Sequence, residues 1–97
     1  MEGALGLIEV KGFAAATAAC DAALKAAGVR VLGYEETKGG GLVVVKWSGD
    51  VASVQAAVEA AVDAASAVTH VFAARVIARP AIGSDANEPA LMNAQVV

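Results

Sequence analysis

The chain is poor in the residues from which reactive sites are usually built. Among its 97 residues there is one cysteine, Cys20, and one histidine, His70. A single cysteine excludes an internal disulfide and fits a reducing cytoplasm. A single histidine rules out a triad, a histidine relay or a histidine metal pair within one chain, and metal-ligand spacings are absent. Charged residues make up 18% and aromatics 4%. Lys and Arg are scattered and the net charge is −3, so nothing is clustered to displace counterions from nucleic acid. No apolar run approaches the roughly 18–20 residues that span a bilayer. Met1-Glu2-Gly3 carries no basic n-region, so no secretory signal is expected.

What the chain does have is small apolar side chains. It is 58% hydrophobic, and 25 of its residues are alanine. One domain of this length buries roughly 60–70% of its unfolded surface. So apolar a composition, with charge below the usual quarter of residues, predicts that part of the surface meets other subunits.

Hydrophobic patterning orders the chain. Ala4 to Lys11 alternates, with Ala4, Gly6, Ile8 and Val10 on one face and Leu5, Leu7, Glu9 and Lys11 on the other, so it reads as a strand with one buried face. Phe13 to Ala27 is helical by propensity, with Phe13, Ala16, Cys20 and Leu24 as its apolar stripe and Gly28 as its C-cap. Val29 to Glu36 and Leu42 to Ser48 read as strands. Asp50 caps a helix on which Val51, Val54, Val58, Val62 and Ala65 form a stripe opposite Gln55, Glu59, Asp63 and Ser66. A fourth strand, His70 to Arg79, ends at Pro80, and a tail follows in which one short helical turn is expected after Glu88-Pro89.

This β-α-β-β-α-β order predicts an α+β, ferredoxin-like fold: a four-stranded antiparallel sheet with both helices on one face. The other face is expected to be covered by nothing in the chain, and so to meet solvent or neighbours. The valine-rich third strand would be aggregation-prone at an unpaired edge.

No enzyme is expected from this inventory. His70 reads as the start of a strand, and Cys20 as a buried inert thiol with nothing cationic placed to activate it. Glu35 and Glu36 point to opposite faces of a strand. Glu59 and Asp63 share a helix face, which reads as solvated surface. The stretch from Gly33 to Val45 stands out, two strands joined by a loop that ends in Gly39, Gly40 and Gly41. A tight hairpin needs one or two glycines; three suggest backbone in close approach to a ligand or to symmetry copies. The triplet lacks the Lys-Ser/Thr sequel of a P-loop and opens no helix, so a nucleotide site is not expected.

Several local strings single out one family. Ala4-Leu5-Gly6-Leu7-Ile8-Glu9-Val10-Lys11-Gly12 resembles the opening of bacterial microcompartment shell proteins. Gly33-Tyr34-Glu35 with Gly39-Gly40-Gly41-Leu42-Val43 is similar to their hairpin, Gly49-Asp50-Val51 to their second helix start, and Val76-Ile77-Ala78-Arg79-Pro80 to their last strand. Their order and spacing make the resemblance specific, and it covers a shell domain of residues 4–80 followed by a C-terminal tail of residues 81–97.

The resemblance implies a structural role with no catalytic residue, cofactor or metal. Single-domain members form flat cyclic homohexamers that tile, with other shell proteins, into a cytoplasmic shell around the enzymes of a pathway. The hairpin loop lines a pore on the six-fold axis for small metabolites, which makes Lys38, Gly39, Gly40 and Gly41 the candidate pore residues. Lys25 and Arg79 match residues on the hexamer's outer edge. Without the resemblance, Lys25 reads as an ordinary helical lysine paired with Asp21. No nucleic acid or membrane partner is implied.

The sequence departs from the family pattern at its loop, which is about one residue longer, and at Lys38, where an apolar residue is usual. If Lys38 reaches the rim, six ammonium groups would favour anions. Lys46-Trp47-Ser48 replaces an aliphatic pair and an arginine, with Trp47 filling the core or packing at a subunit contact. Ala81 stands where a histidine is frequent. A small-metabolite-binding regulatory domain of the same fold, holding an anion on its glycine loop, is the alternative reading.

Overall fold

The computed structural model describes residues 3–37 and 40–78. Its elements are β1 (Ala4–Lys11), α1 (Phe13–Ala26), β2 (Arg30–Glu36), β3 (Leu42–Gly49), α2 (Val51–Ser66) and β4 (Val71–Ala78). The strands form one antiparallel sheet in the order β2-β3-β1-β4. This is the βαββαβ architecture expected of the sequence. The valine-rich β3 lies between β2 and β1 rather than at an edge, so its ladder groups are paired on both sides.

Both helices cover the sheet face that carries Ala4, Ile8, Val10, Val43, Val45 and Trp47. The centre of this core is the pairing of the largest side chain with a missing one. Trp47 lies opposite Gly6, and a Cβ on Gly6 would stand 2.5 Å from the indole Nε1 and 2.8 Å from Val54 Cγ1. Glycine is the residue that leaves room for the ring. Trp47 is therefore a core residue, fully buried in the single chain.

The face that α1 buries keeps two residues of the expected stripe, Ala16 and Cys20, and differs at its ends. Ala15, Ala16, Ala19, Cys20 and Ala23 are buried, whereas Phe13 and Leu24 are 55% and 50% exposed. Alanine faces let α1 and α2 approach each other and the sheet closely. The larger side chains are thereby left on the outer flank. The cost is area: a buried methyl stabilises by roughly 0.8 kcal/mol, against about 1.5–3 for a whole valine or leucine side chain. The helix also ends earlier than expected. Ala27 leaves it in an extended conformation (φ −156°, ψ 160°), which any residue adopts, and Gly28 is not the cap.

On α2 the apolar stripe holds, centred on Val54, Ala57, Ala61 and Ala65, with Val51, Val58 and Val62 half-buried beside it. Asp50 caps its N-terminus: Oδ1 accepts from the Ser53 N–H at 2.9 Å, and Oδ2 from the Ser53 hydroxyl at 2.9 Å. Those bonds, the backbone one first, hold the Asp50 carboxyl below its ordinary value.

The second sheet face is not bare, which corrects the expectation that nothing in the chain covers it. Leu5, Leu7, Val44 and Lys46 are all 3% exposed or less. Lys46 pairs in register with Leu7 and Gly33, and its ammonium reaches Glu35 Oε2 at 3.3 Å. A long methylene stem is thus laid among the aliphatic side chains while the charge finds a carboxylate.

Candidate functional site

The candidate site is the loop between β2 and β3, together with the two edges of the sheet. The loop is closed at its base by the Thr37 N–H donating to Leu42 O at 2.9 Å. The Thr37 hydroxyl lies 3.4 Å from the same carbonyl and 3.4 Å from Glu9 Oε2 on β1. A further brace comes from the junction of β1 and α1, where the Gly12 N–H donates to Gly41 O at 2.7 Å. The loop is thus tied to three strands at its base.

Gly40 and Gly41 take φ of 71° and 76°, a region costly for residues with a Cβ, so their backbone requires glycine. Both are exposed. A Cβ on Gly40 would meet nothing within 4 Å, and one on Gly41 would touch only Lys11 Cγ at 4.0 Å. Among the described residues, the space beside Gly40 and Gly41 is therefore open, bounded on one flank by Lys11. Lys38 and Gly39, the other two expected pore residues, lie outside the described residues, as do Arg79 and the 81–97 tail.

Lys25 sits in the last turn of α1 with its side chain 76% exposed, and its ammonium lies 2.9 Å from Asp21 Oδ2. Such an exposed i, i+4 pair contributes only about 0.2–0.5 kcal/mol. The lysine is thus held lightly and remains available at the surface.

Among the described residues the sheet ends on β2 and β4, each paired on one side. Each carries an exposed aromatic side chain, Tyr34 on β2 (43%) and Phe72 on β4 (52%). Phe72 packs edge-to-face on His70, with ring centroids 5.1 Å apart at 79°. Val68 is 55% exposed just before β4. Near Tyr34, a hydrogen bond to the Cys20 thiol, ahead of burial, raises the phenol above its usual value. His70 is exposed and Cys20 is buried and free, so the two are not joined into a catalytic pair. Among the described residues no group of three or more His, Cys, Asp or Glu is placed to hold a metal, and no helix is long and apolar enough to cross a membrane.

Sequence reasoning located the loop but not its supports. Glu9, Lys11 and Gly12 precede the loop by some 25 residues or more in the sequence, and only the β1–β3 register, with Lys11 opposite Leu42, brings them beside it. The signal available beforehand was the alternation that set Glu9 and Lys11 on one face of β1.

The architecture defines a small α+β domain with a glycine loop and two apolar edges. The BMC domain profile matches residues 4–80, and the chain belongs to that family. It is 49% identical over 77 residues to the bacterial microcompartment shell protein PduA of Citrobacter freundii, a match covering 79% of this chain and 82% of that protein. It is 45% identical over 83 residues to the shell protein PduK of the same organism, covering 86% of this chain but 53% of the longer relative. The carboxysome shell protein CcmK2 of Thermosynechococcus vestitus is 48% identical over 79 residues, covering 79% of this chain and 76% of that one. Among solved structures, a microcompartment protein from Desulfitobacterium hafniense matches with a TM-score of 0.69 at 35% identity, covering 79% of this chain and 41% of that one.

Proposed function

We propose that this chain is a structural shell protein of a bacterial microcompartment, a cyclic homohexamer that tiles with other shell proteins into the wall around encapsulated enzymes. It acts without a catalytic residue, a cofactor or a metal. Residues 4–80 form the shell domain and residues 81–97 a tail. The observation that carries this reading, among the described residues, is the pairing of open space beside Gly40 and Gly41 with exposed apolar side chains on both end strands of the sheet. Two different edges meeting head to tail give a heterologous contact, and such a contact closes a ring when its rotation allows. Family membership and identity near one half to shell proteins over most of PduA's length support a six-fold ring and a shell setting.

In that ring Gly40 and Gly41, with Lys38 and Gly39, line the axis. Six glycine loops approach an axis without side-chain clash and present backbone N–H and C=O dipoles to a narrow channel, which selects small polar metabolites. Lys25 and Arg79 stand on the outer rim, where one hexamer meets the next.

Electron microscopy of the purified protein tests this reading. The expected result is discs with six-fold symmetry that extend into sheets or tubes. A soluble dimer or trimer whose melting temperature rises with a small anion would instead support the regulatory-domain reading.

A further inference from the structure

The charged side chains of the described residues divide between the two faces of the sheet by sign. On the face turned from the helices stand Lys11, Arg30, Lys46 and Arg75 against Glu9 and Glu35; cross-strand partners share a face, and each of the six lies in register with Leu5, Leu7, Val44 or Ser48, or with Leu42 for Lys11. On the helix side the balance reverses, with Asp21, Glu36 (in register with Val43), Asp50, Glu59 and Asp63 against Lys25. In a ring of copies the sheet-side face is therefore cationic and the helix side anionic.

Within the cationic face one residue has a position the others lack. Lys11 is the last residue of β1, it is exposed, its Cγ bounds the space beside Gly41, and the next residue, Gly12, is bonded to the loop carbonyl. Glu9, the nearest opposing charge on that strand, is half-buried and drawn to Thr37. We propose that Lys11 is a specificity-determining residue of the pore: it forms a cationic collar around the glycine loop at the sheet-side mouth and draws in small anions such as carboxylates. This rests on the hexameric reading above. Lys11 stands beside Gly41 on β1 rather than in the loop, so it acts by raising the local anion concentration at the entrance.

Acetate and acetamide, equal in size and unlike in charge, separate this role from pore width. Their flux is measured through flat arrays of the full chain laid over a perforated support. With Lys11→Gln the acetate-to-acetamide ratio falls at least about threefold while acetamide flux holds, and with Glu9→Gln the ratio rises. At about 0.5 M salt, where screening has shortened the Debye length to a few ångströms, the two variants and the parent converge. Glu59→Gln, exposed on α2 on the helix side, leaves the ratio as it was. An unchanged ratio in Lys11→Gln arrays that retain six-fold discs overturns the collar and leaves the shell reading standing. If Lys11→Gln does not assemble, Glu9→Gln decides in the same way, an unraised ratio overturning it. Absence of discs from the parent protein removes the shell reading itself, and the collar with it.

Discussion

Gly6 and Trp47 act as one packing unit, since the ring occupies the place of the missing side chain. Gly6→Ala forces a methyl to 2.5 Å from the indole and should cost about 1–3 kcal/mol in urea unfolding followed by circular dichroism. Combined with Trp47→Leu it should cost nothing beyond Trp47→Leu alone, because the smaller side chain vacates the contact; full additivity would contradict the packing. Gly40 gives a second residue-level test of a different kind. Gly40→Ala meets no atom of the described residues within 4 Å, so its expected cost in one chain is the strain of positive φ, about 1 kcal/mol. A larger loss of assembly than of monomer stability locates the crowding between copies. Neither role was legible beforehand in full. A glycine in a strand signals close backbone approach, but only the β1–β3 register names the ring that approaches it.

At the level of elements, legibility followed side-chain contrast. The valines of α2 against Gln55, Glu59 and Asp63 marked its buried side, and Asp50 marked its start, as found. On α1 nearly every position is alanine, so the expected stripe found Ala16 and Cys20 but wrongly included Phe13 and Leu24 and missed Ala15, Ala19 and Ala23. Alanine gives no hydropathy contrast, and close packing chooses the smallest face rather than the most apolar one. The Asp50 cap yields a pH prediction. Its carboxyl is lowered in the folded state from an ordinary 3.8, so the unfolded chain binds more protons in that range. The cap's contribution is present above the ordinary value and lost as pH falls through the lowered one. Melting curves of Asp50→Ala should therefore lie a few degrees below those of the parent at neutral pH. The gap should close at strongly acidic pH; a constant gap would show that the carboxylate charge is not what caps α2.

For the whole molecule, the fold class and the two-layer plan were readable from element order, whereas the second sheet face was not. Lys46 in a valine run looked like a departure from pattern, and its pairing with Glu35 across Gly33 appears only when the strands are laid in register. The sign difference between the faces is a property of register as well, invisible in a net charge of −3. In the proposed ring the edges carry the assembly. Phe72→Asp places a charge where an apolar contact is proposed, on a side chain already 52% exposed. The variant should keep the circular dichroism of the parent and lose the higher-mass species; an unchanged particle would remove β4 from the interface.

Native mass spectrometry of the purified full chain at working concentration addresses the central claim most directly. A closed ring predicts a dominant species of six times the 9.6 kDa chain, with multiples of that mass as discs join. Spectra holding only single chains or pairs would contradict the ring, and with it the pore and the wall.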